Sequence, residues 1–141
     1  MGKINHGRVF LGGLLAGVVF NIGEFILNEP ILGEQWIAAM QDLNRPPIGG
    51  SQIAWFVIMG FAYGIAAVRL YAAIRPRFGP GPRTAIRAGL ALWFLIWVLG
   101  FGSTLITNLY PKGLVLTSIL WGLFEAPIAT LVGAWVYREG A

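Results

Sequence analysis

The stretch "VFLGGLLAGVVFNIGEFILN" (residues 9–28) decides the fold, because it is too long and too apolar for a helix of a soluble protein. As an α-helix it is about 30 Å long, which matches the hydrocarbon thickness of a bilayer. Three further apolar runs follow in a chain that is 57% hydrophobic and 11% charged. A soluble domain normally carries about 25% charged residues. The sequence therefore predicts an integral membrane protein.

Breakers rich in proline and glycine separate the four apolar runs: "RPPIGG" (45–50), "RPRFGPGPR" (75–83) and "NLYPKG" (108–113). We predict transmembrane helices at about 8–28, 51–74, 84–107 and 114–137. Together they form one all-α domain over residues 1–141, a four-transmembrane-helix bundle. No small-x-small cleavage site follows the first run, so we expect it to be retained as a helix.

The first loop, residues 29–50, is long enough to contain a short helix. Apolar residues recur in it at three- and four-residue spacing: Leu32, Trp36, Met40 and Leu43. This spacing predicts a short amphipathic helix, and Pro30 suits its first turn. We expect the helix to lie on the outer membrane surface, with Trp36 as an interfacial anchor. An ordinary loop packed on the bundle is the alternative.

Basic residues indicate the orientation of the chain. They flank both chain ends and the second loop: Lys3, Arg8, Arg75, Arg77, Arg83, Arg87 and Arg138. The first loop has only Arg45 and the third only Lys112. By the positive-inside rule both termini face the cytoplasm in a multi-pass protein of the cell membrane. This distribution accounts for the net charge of +4, so we expect the lipid bilayer and no nucleic acid as a partner.

Polar and small residues share one face of the first span: Gly13, Gly17, Asn21, Glu24 and Asn28. The fourth span repeats the design with Ser118, Gly122, Glu125, Ala129 and Gly133. Small residues let helices approach closely, so we predict helix packing at Gly13, Gly17, Gly60, Gly64, Gly122 and Gly133. Both glutamates should face the bundle interior, because an ionised side chain in lipid costs on the order of 3 kcal/mol.

Glu24 and Glu125 have two interpretations. In the first they form a proton- or cation-binding site, oriented by Asn21 and Asn28. Asn21 and Glu125 are expected at similar depths in the membrane, whereas Glu24 is expected nearer the outer surface. We therefore predict a hydrogen bond between Asn21 and Glu125. Pro127 frees a backbone carbonyl beside this site and could kink the helix. In the second interpretation the acids and asparagines only hydrogen-bond the helices to one another.

Other chemistry has little support in the sequence. The chain has no cysteine and one histidine, His6, so we expect no metal site and no haem or other cofactor. No nucleophile–histidine pair or phosphate-binding loop is present. We therefore predict that the protein is not an enzyme, with an enzyme acting on lipids as a third alternative.

Two regions of the chain resemble a known family. "PILGEQW" (30–36) follows the first span, and "STLITNLYPKG" (103–113) precedes "LTSILWGLFEAPIATLVGAW" (116–135). These strings are similar to a family of small four-helix bacterial inner-membrane proteins of unknown function. An aromatic pair that is typical of the end of the first helix in that family is replaced here by Leu27 and Asn28. The resemblance implies the architecture and no particular activity.

These observations predict a non-enzymatic membrane protein. We expect it to be a homo-oligomer or an accessory subunit of a membrane complex. The alternative is a small proton-coupled transporter or channel in which Glu24 and Glu125 carry the proton or cation.

Overall fold

The computed structural model describes residues 2–140; Met1 and Ala141, which belong to the predicted domain 1–141, lie outside the described residues. Within that range the chain is helical, without strands. The helices are α1 (His6–Ile31), α2 (Gly33–Asp42), α3 (Gly50–Phe78), α4 (Pro82–Ile106) and α5 (Lys112–Trp135). All except α2 are long and apolar enough to cross a membrane. The all-α class and the multi-pass membrane architecture are therefore confirmed.

The end of α1 differs from the prediction. The helix does not stop near residue 28, because the π-helical segment Leu27–Ile31 continues it past Pro30. The Leu32 N–H donates to the carbonyl of Leu27 at 2.8 Å, which closes this wider turn. In an α-helix the ring of Pro30 would clash with the carbonyl four residues earlier. The predicted start of the loop helix at Pro30 is thus wrong, and α2 begins at Gly33.

The four long helices form a ring in which α1 and α4 each pack against α3 and α5. Glycines allow α1 and α3 to cross at close range. A Cβ added to Gly13 would lie 2.6 Å from the Cα of Ile65, and one added to Gly64 would lie 2.8 Å from the Cα of Gly17. Since those neighbours are backbone atoms, the backbones of the two helices come into close contact at these glycines.

Two of the glycines proposed for packing lie on α5. A Cβ added to Gly133 would lie 2.9 Å from the Cβ of Ala16, so this glycine faces α1. Gly122 instead faces α4, where an added Cβ would lie 2.6 Å from the indole ring of Trp97. Trp97 belongs to the π-helical segment Phe94–Phe101, which occupies the middle of α4. Each glycine thus marks a different helix contact.

Both chain ends and the loop after α3 lie at one end of the bundle, which we call the termini end. Arg75 forms a salt bridge with Glu139 at 3.0 Å and lies over the ring of Tyr137 at 5.6 Å. The Gly140 N–H donates to the carbonyl of Lys3 at 3.1 Å. We call the opposite end, which carries α2, the α2 end.

α2 packs on the bundle through one face. The ring centroid of Trp36 lies 5.2 Å from that of Tyr110 and 6.4 Å from that of Phe101. Ala39 is buried on the same face, whereas Glu34 and Ile37 are exposed. Buried leucines and a valine from three segments complete this cluster: Leu27, Leu32, Leu114 and Val115. The helix in the first loop is present, and Trp36 points toward the bundle.

Candidate functional site

Glu24 of α1 and Glu125 of α5 form a carboxyl pair, which we call the glutamate pair. The two carboxyl groups are within hydrogen-bonding range of each other. Glu125 is 6% exposed. Glu24 Oε1 and Glu125 Oε2 are both buried and accept no hydrogen bond from residues 2–140. One proton shared between the two carboxyl groups would satisfy both of these oxygens.

The direction of the side chains explains how the two glutamates meet. α1 and α5 are antiparallel, because both chain ends lie at the termini end of a bundle of four long helices. Side chains of an α-helix lean toward its N-terminus. Glu24 therefore leans toward the termini end and Glu125 toward the α2 end. The two carboxyl groups approach each other although their backbones lie at different heights.

Asn21 is not part of the glutamate pair. Its Nδ2 donates to the carbonyl of Val57 in α3 at 3.2 Å. Its side chain lies over Gly60, where an added Cβ would be 2.8 Å from the Asn21 Cγ. The predicted hydrogen bond between Asn21 and Glu125 is therefore wrong. The prediction compared only the positions of the two backbones along the bundle, whereas the Asn21 side chain points at α3 and not at α5. Gly60 thus makes room for a polar side chain.

Asn28 connects the glutamate pair to α2. Its Nδ2 donates to Glu24 Oε2 at 2.8 Å and to the Glu24 carbonyl at 2.9 Å. Its Oδ1 accepts from Trp36 Nε1 at 2.8 Å. The predicted role of Asn28 as an orienting residue therefore has a geometric basis. Amide and indole N–H groups donate without giving up a proton, so this connection positions Glu24 and is not a proton path.

Two residues that sequence analysis did not select complete the surroundings of Glu125. Trp121, one turn earlier in α5, donates its Nε1 hydrogen to Glu125 Oε1 at 3.3 Å. A Cβ added to Gly23 would lie 3.0 Å from the carboxyl carbon of Glu125. The four-residue spacing of Trp121 and Glu125 was a usable signal in the sequence. Nothing in the sequence marks Gly23, because the group that it accommodates belongs to another helix.

Three aromatic rings pack together in the interior of the bundle, next to the turn of α1 that carries Glu24. Phe20, one turn before Glu24, stacks on Trp97 with centroids 6.0 Å apart and an interplanar angle of 18°. The ring of Tyr63 lies 6.1 Å from that of Phe20 and 5.8 Å from that of Trp97. The rings come from α1, α3 and α4.

No cationic side chain neutralises the glutamate pair in the part of the chain that the structure describes. The salt bridge found there joins Arg75 to Glu139 at the termini end. Among residues 2–140 there is also no group of three or more acidic or histidine side chains that could hold a metal ion. Two carboxyl groups alone fall short of the oxygen ligands that Ca²⁺ or Mg²⁺ requires.

A groove between α1 and α5 leads to Glu125 from the side of the bundle. Its volume is about 360 Å³, and its walls are mostly apolar: Val19, Ile22, Gly23, Trp121, Phe124, Glu125 and Ile128. Phe124 and Ile128 are 68% and 52% exposed. Since the groove lies on the outer surface of apolar helices, it would open toward lipid in a membrane. Glu125 is thus approached laterally.

Comparison with known proteins identifies no family for the chain. No protein-family model matches it, and neither a curated protein nor a solved structure does. The resemblance carried by "PILGEQW" and by residues 103–135 therefore stays a prediction.

Proposed function

We propose that the protein is a small proton-coupled membrane transporter, not an enzyme, in which the glutamate pair binds the proton. The observation that carries this proposal is that the two carboxyl groups lie within hydrogen-bonding range, while one buried oxygen of each, Glu24 Oε1 and Glu125 Oε2, accepts no hydrogen bond from residues 2–140. A shared proton supplies the missing hydrogen bond. Its loss leaves two adjacent negative charges in a medium of low dielectric constant, where they repel strongly. Proton binding therefore acts directly on the contact between α1 and α5.

A purely structural role for the acids has less support. α1 and α5 already pack through small residues, as the contact between Gly133 and Ala16 shows. Glutamine side chains would hydrogen-bond across the same contact without needing a proton. An ionisable side chain inside a span costs on the order of 3 kcal/mol when charged, so its presence by default indicates a functional site. The glutamate pair fits that expectation.

The surroundings of the pair also favour controlled access. The stacked rings of Phe20 and Trp97 fill the bundle interior near the pair, and the contact between Asn28 and Trp36 lies on its α2 side. The lateral groove between α1 and α5 reaches Glu125 from the side. A change in the contact between α1 and α5 would therefore alter the width of this groove. This arrangement links the protonation of the pair to access from the membrane.

Infrared spectroscopy of the purified protein in liposomes tests the proposal. The C=O stretching band of protonated carboxyl groups is expected to lose intensity as the buffer is changed from mildly acidic to mildly alkaline. Glu24→Gln and Glu125→Gln should each abolish this change. Glu139→Gln is the matched control, because Glu139 lies at the termini end in the salt bridge with Arg75. A band that titrates identically in Glu125→Gln and in the unmodified protein would rule out the pair as the proton site.

A second candidate, a homo-oligomer or an accessory subunit of a membrane complex, is favoured by the first third of α3. Residues 50–59 are exposed on every side of the helix, and Trp55 is 67% exposed. Apart from the hydrogen bond that Asn21 of α1 donates to the Val57 carbonyl, this segment leaves most of its side-chain surface uncovered by the described chain. Native mass spectrometry after gentle extraction would distinguish a homo-oligomer from an accessory subunit. A homo-oligomer gives a multiple of the mass of one chain, whereas an accessory subunit is found bound to a different protein. A monomer without a partner would contradict this candidate.

We also propose that the termini end faces the cytoplasm and that α2 lies at the outer surface of the cell membrane. Apart from Arg45, Lys112 and Arg69, the lysines and arginines belong to the chain ends, the loop between α3 and α4, or the adjacent helix turns, and Arg69 lies 3.2 Å from the ring of His6 at the start of α1. This asymmetry is what the positive-inside rule describes. The exposed Glu34 beside the half-buried Trp36 suits a helix between lipid headgroups and water.

A further inference from the structure

We propose that the groove between α1 and α5 binds a hydrophobic organic cation, an ammonium or phosphonium ion with an apolar body, and that its charge lies against Glu125. The inference rests on the proposed function, because it names the substrate class of the same glutamate pair. It is carried by three features of the groove: its volume and walls, the unpartnered buried oxygen of Glu125, and the uncompensated charge of the pair.

The walls of the groove fit an apolar body. A volume of about 360 Å³ lies within the range of small-molecule sites in proteins. Val19 and Ile22 form the α1 wall, and Phe124 and Ile128 form the α5 wall. A ligand that partitions into the bilayer would reach these side chains directly from lipid. The walls therefore favour a compact, apolar ligand over a hydrated one.

The floor of the groove supplies a negative charge. Glu125 lines the groove, is 94% buried, and has one oxygen without a partner among residues 2–140. Asn28 donates to Glu24 Oε2 and Trp121 donates to Glu125 Oε1, so a single shared proton completes the hydrogen bonding of all four carboxyl oxygens. With that one proton the pair keeps a net charge of −1. A monovalent cation in the groove would neutralise it.

The chemistry of the lining selects an organic cation rather than a metal ion. Glu125 is the one lining residue with carboxylate oxygens, whereas Ca²⁺ takes six to eight oxygen ligands and Mg²⁺ takes six. Trp121 and Phe124 also line the groove, and aromatic faces attract organic cations. An anion of the same shape would be repelled by the negative charge of the pair.

A second proton would neutralise the pair just as an organic cation would. The second proton and the cation therefore compete for the same site. The titratable groups that face one another here are Glu24 on α1, Glu125 on α5 and, within electrostatic range of Glu24, Tyr63 on α3. α2 and α4 contribute Trp36 and Trp97, which do not titrate. Acidic conditions therefore favour the proton, and cation binding should weaken there. Exchange of one cation for one proton conserves the charge of the site.

Binding of tetraphenylphosphonium and tetraphenylborate to the full chain in lipid nanodiscs tests the inference. The two ions have nearly the same size and shape and opposite charges. In mildly alkaline buffer we expect saturable binding of tetraphenylphosphonium and none of tetraphenylborate. In mildly acidic buffer we expect the affinity for tetraphenylphosphonium to fall about tenfold, the equivalent of losing one modest charge interaction.

Ile128→Trp and Ile58→Trp form a matched pair of variants. Ile128 lines the groove, whereas Ile58 lies on the exposed surface of α3, and the two side chains are 52% and 55% exposed. Ile128→Trp should fill the groove and lower the affinity for tetraphenylphosphonium about tenfold, which corresponds to about 1.4 kcal/mol. Ile58→Trp should bind it as the unmodified protein does. Ile58 does not line the groove, so Ile58→Trp should still show the titrating carboxyl band.

Three results would overturn the inference: no saturable binding of tetraphenylphosphonium, equal affinity for tetraphenylborate, or equal affinity in Ile128→Trp and Ile58→Trp. The infrared titration on the same samples separates this failure from failure of the proposed function. A titrating carboxyl band without cation binding leaves the proton site intact and removes only the ligand. Absence of the band from the unmodified protein removes both.

Discussion

Gly23 of α1 lies directly against the carboxyl group of Glu125 in α5. A Cβ at residue 23 would be 3.0 Å from the carboxyl carbon, and Glu125 Oε1 lies closer still. The glycine therefore leaves the space that the acid occupies beside Glu24. The contact joins two residues about a hundred positions apart in the sequence, and it sets the position of Glu125 at the floor of the groove.

Gly23→Ala should displace the carboxyl group of Glu125 from Glu24. The obstructing atoms belong to the far end of a flexible side chain, so we expect the free energy of unfolding to fall by only about 1 kcal/mol. The titrating carboxyl band should shift or split, as infrared spectroscopy would show. Gly100→Ala is the matched control, because its added Cβ meets no atom closer than 3.5 Å. Identical spectra for the two variants would contradict the contact.

Gly64→Ala should destabilise the bundle more than Gly23→Ala. Its added Cβ would lie 2.8 Å from the Cα of Gly17, and a backbone atom cannot move aside without separating α1 from α3. We expect the free energy of unfolding in detergent to fall by about 1–3 kcal/mol. Gly113→Ala, whose Cβ would meet nothing within 4 Å, should leave stability nearly unchanged. Equal stability of the two variants would disprove the close crossing.

Asn28→Ala and Trp36→Phe should be coupled energetically. Trp36 Nε1 donates to Asn28 Oδ1 at 2.8 Å, and either substitution removes that hydrogen bond. We expect a double-mutant cycle of unfolding free energies to give a coupling of about 1 kcal/mol. Trp36→Phe paired with Asn21→Ala is the control cycle, since Asn21 bonds to Val57 instead. Additive effects in the first cycle would mean that the hydrogen bond between Trp36 and Asn28 contributes nothing to the free energy of unfolding.

Single cysteines test the orientation in the membrane, because the natural chain has none. Glu34→Cys in α2 and Phe78→Cys at the end of α3 replace exposed residues at opposite ends of the bundle. In intact cells we expect a membrane-impermeant maleimide to label residue 34 and to label residue 78 only after permeabilisation. Labelling of residue 78 from outside would reverse the proposed topology.

Much of the fold could be predicted because span length and apolarity are local properties of the chain. Each apolar run is long enough to cross a bilayer whatever its neighbours are, and each of the four long helices overlaps one predicted run over nearly its whole length. Prediction failed where the backbone departs from a regular α-helix. The π-helical turn around Pro30 carries α1 to Ile31, and sequence periodicity does not reveal such a turn.

The formation of four apolar helices, and the places of Glu24 and Glu125 in two of them, follow from local properties of the chain, because apolar length and helical spacing require no knowledge of the partner helix. Only the tertiary structure decided that the two carboxyl groups meet, that Asn21 faces Val57 and that Gly23 accommodates Glu125. These contacts depend on the rotation of each helix about its axis and on the lean of its side chains toward its own N-terminus. In antiparallel helices that lean brings together residues at different backbone heights, and helix rotation is set by packing between distant segments.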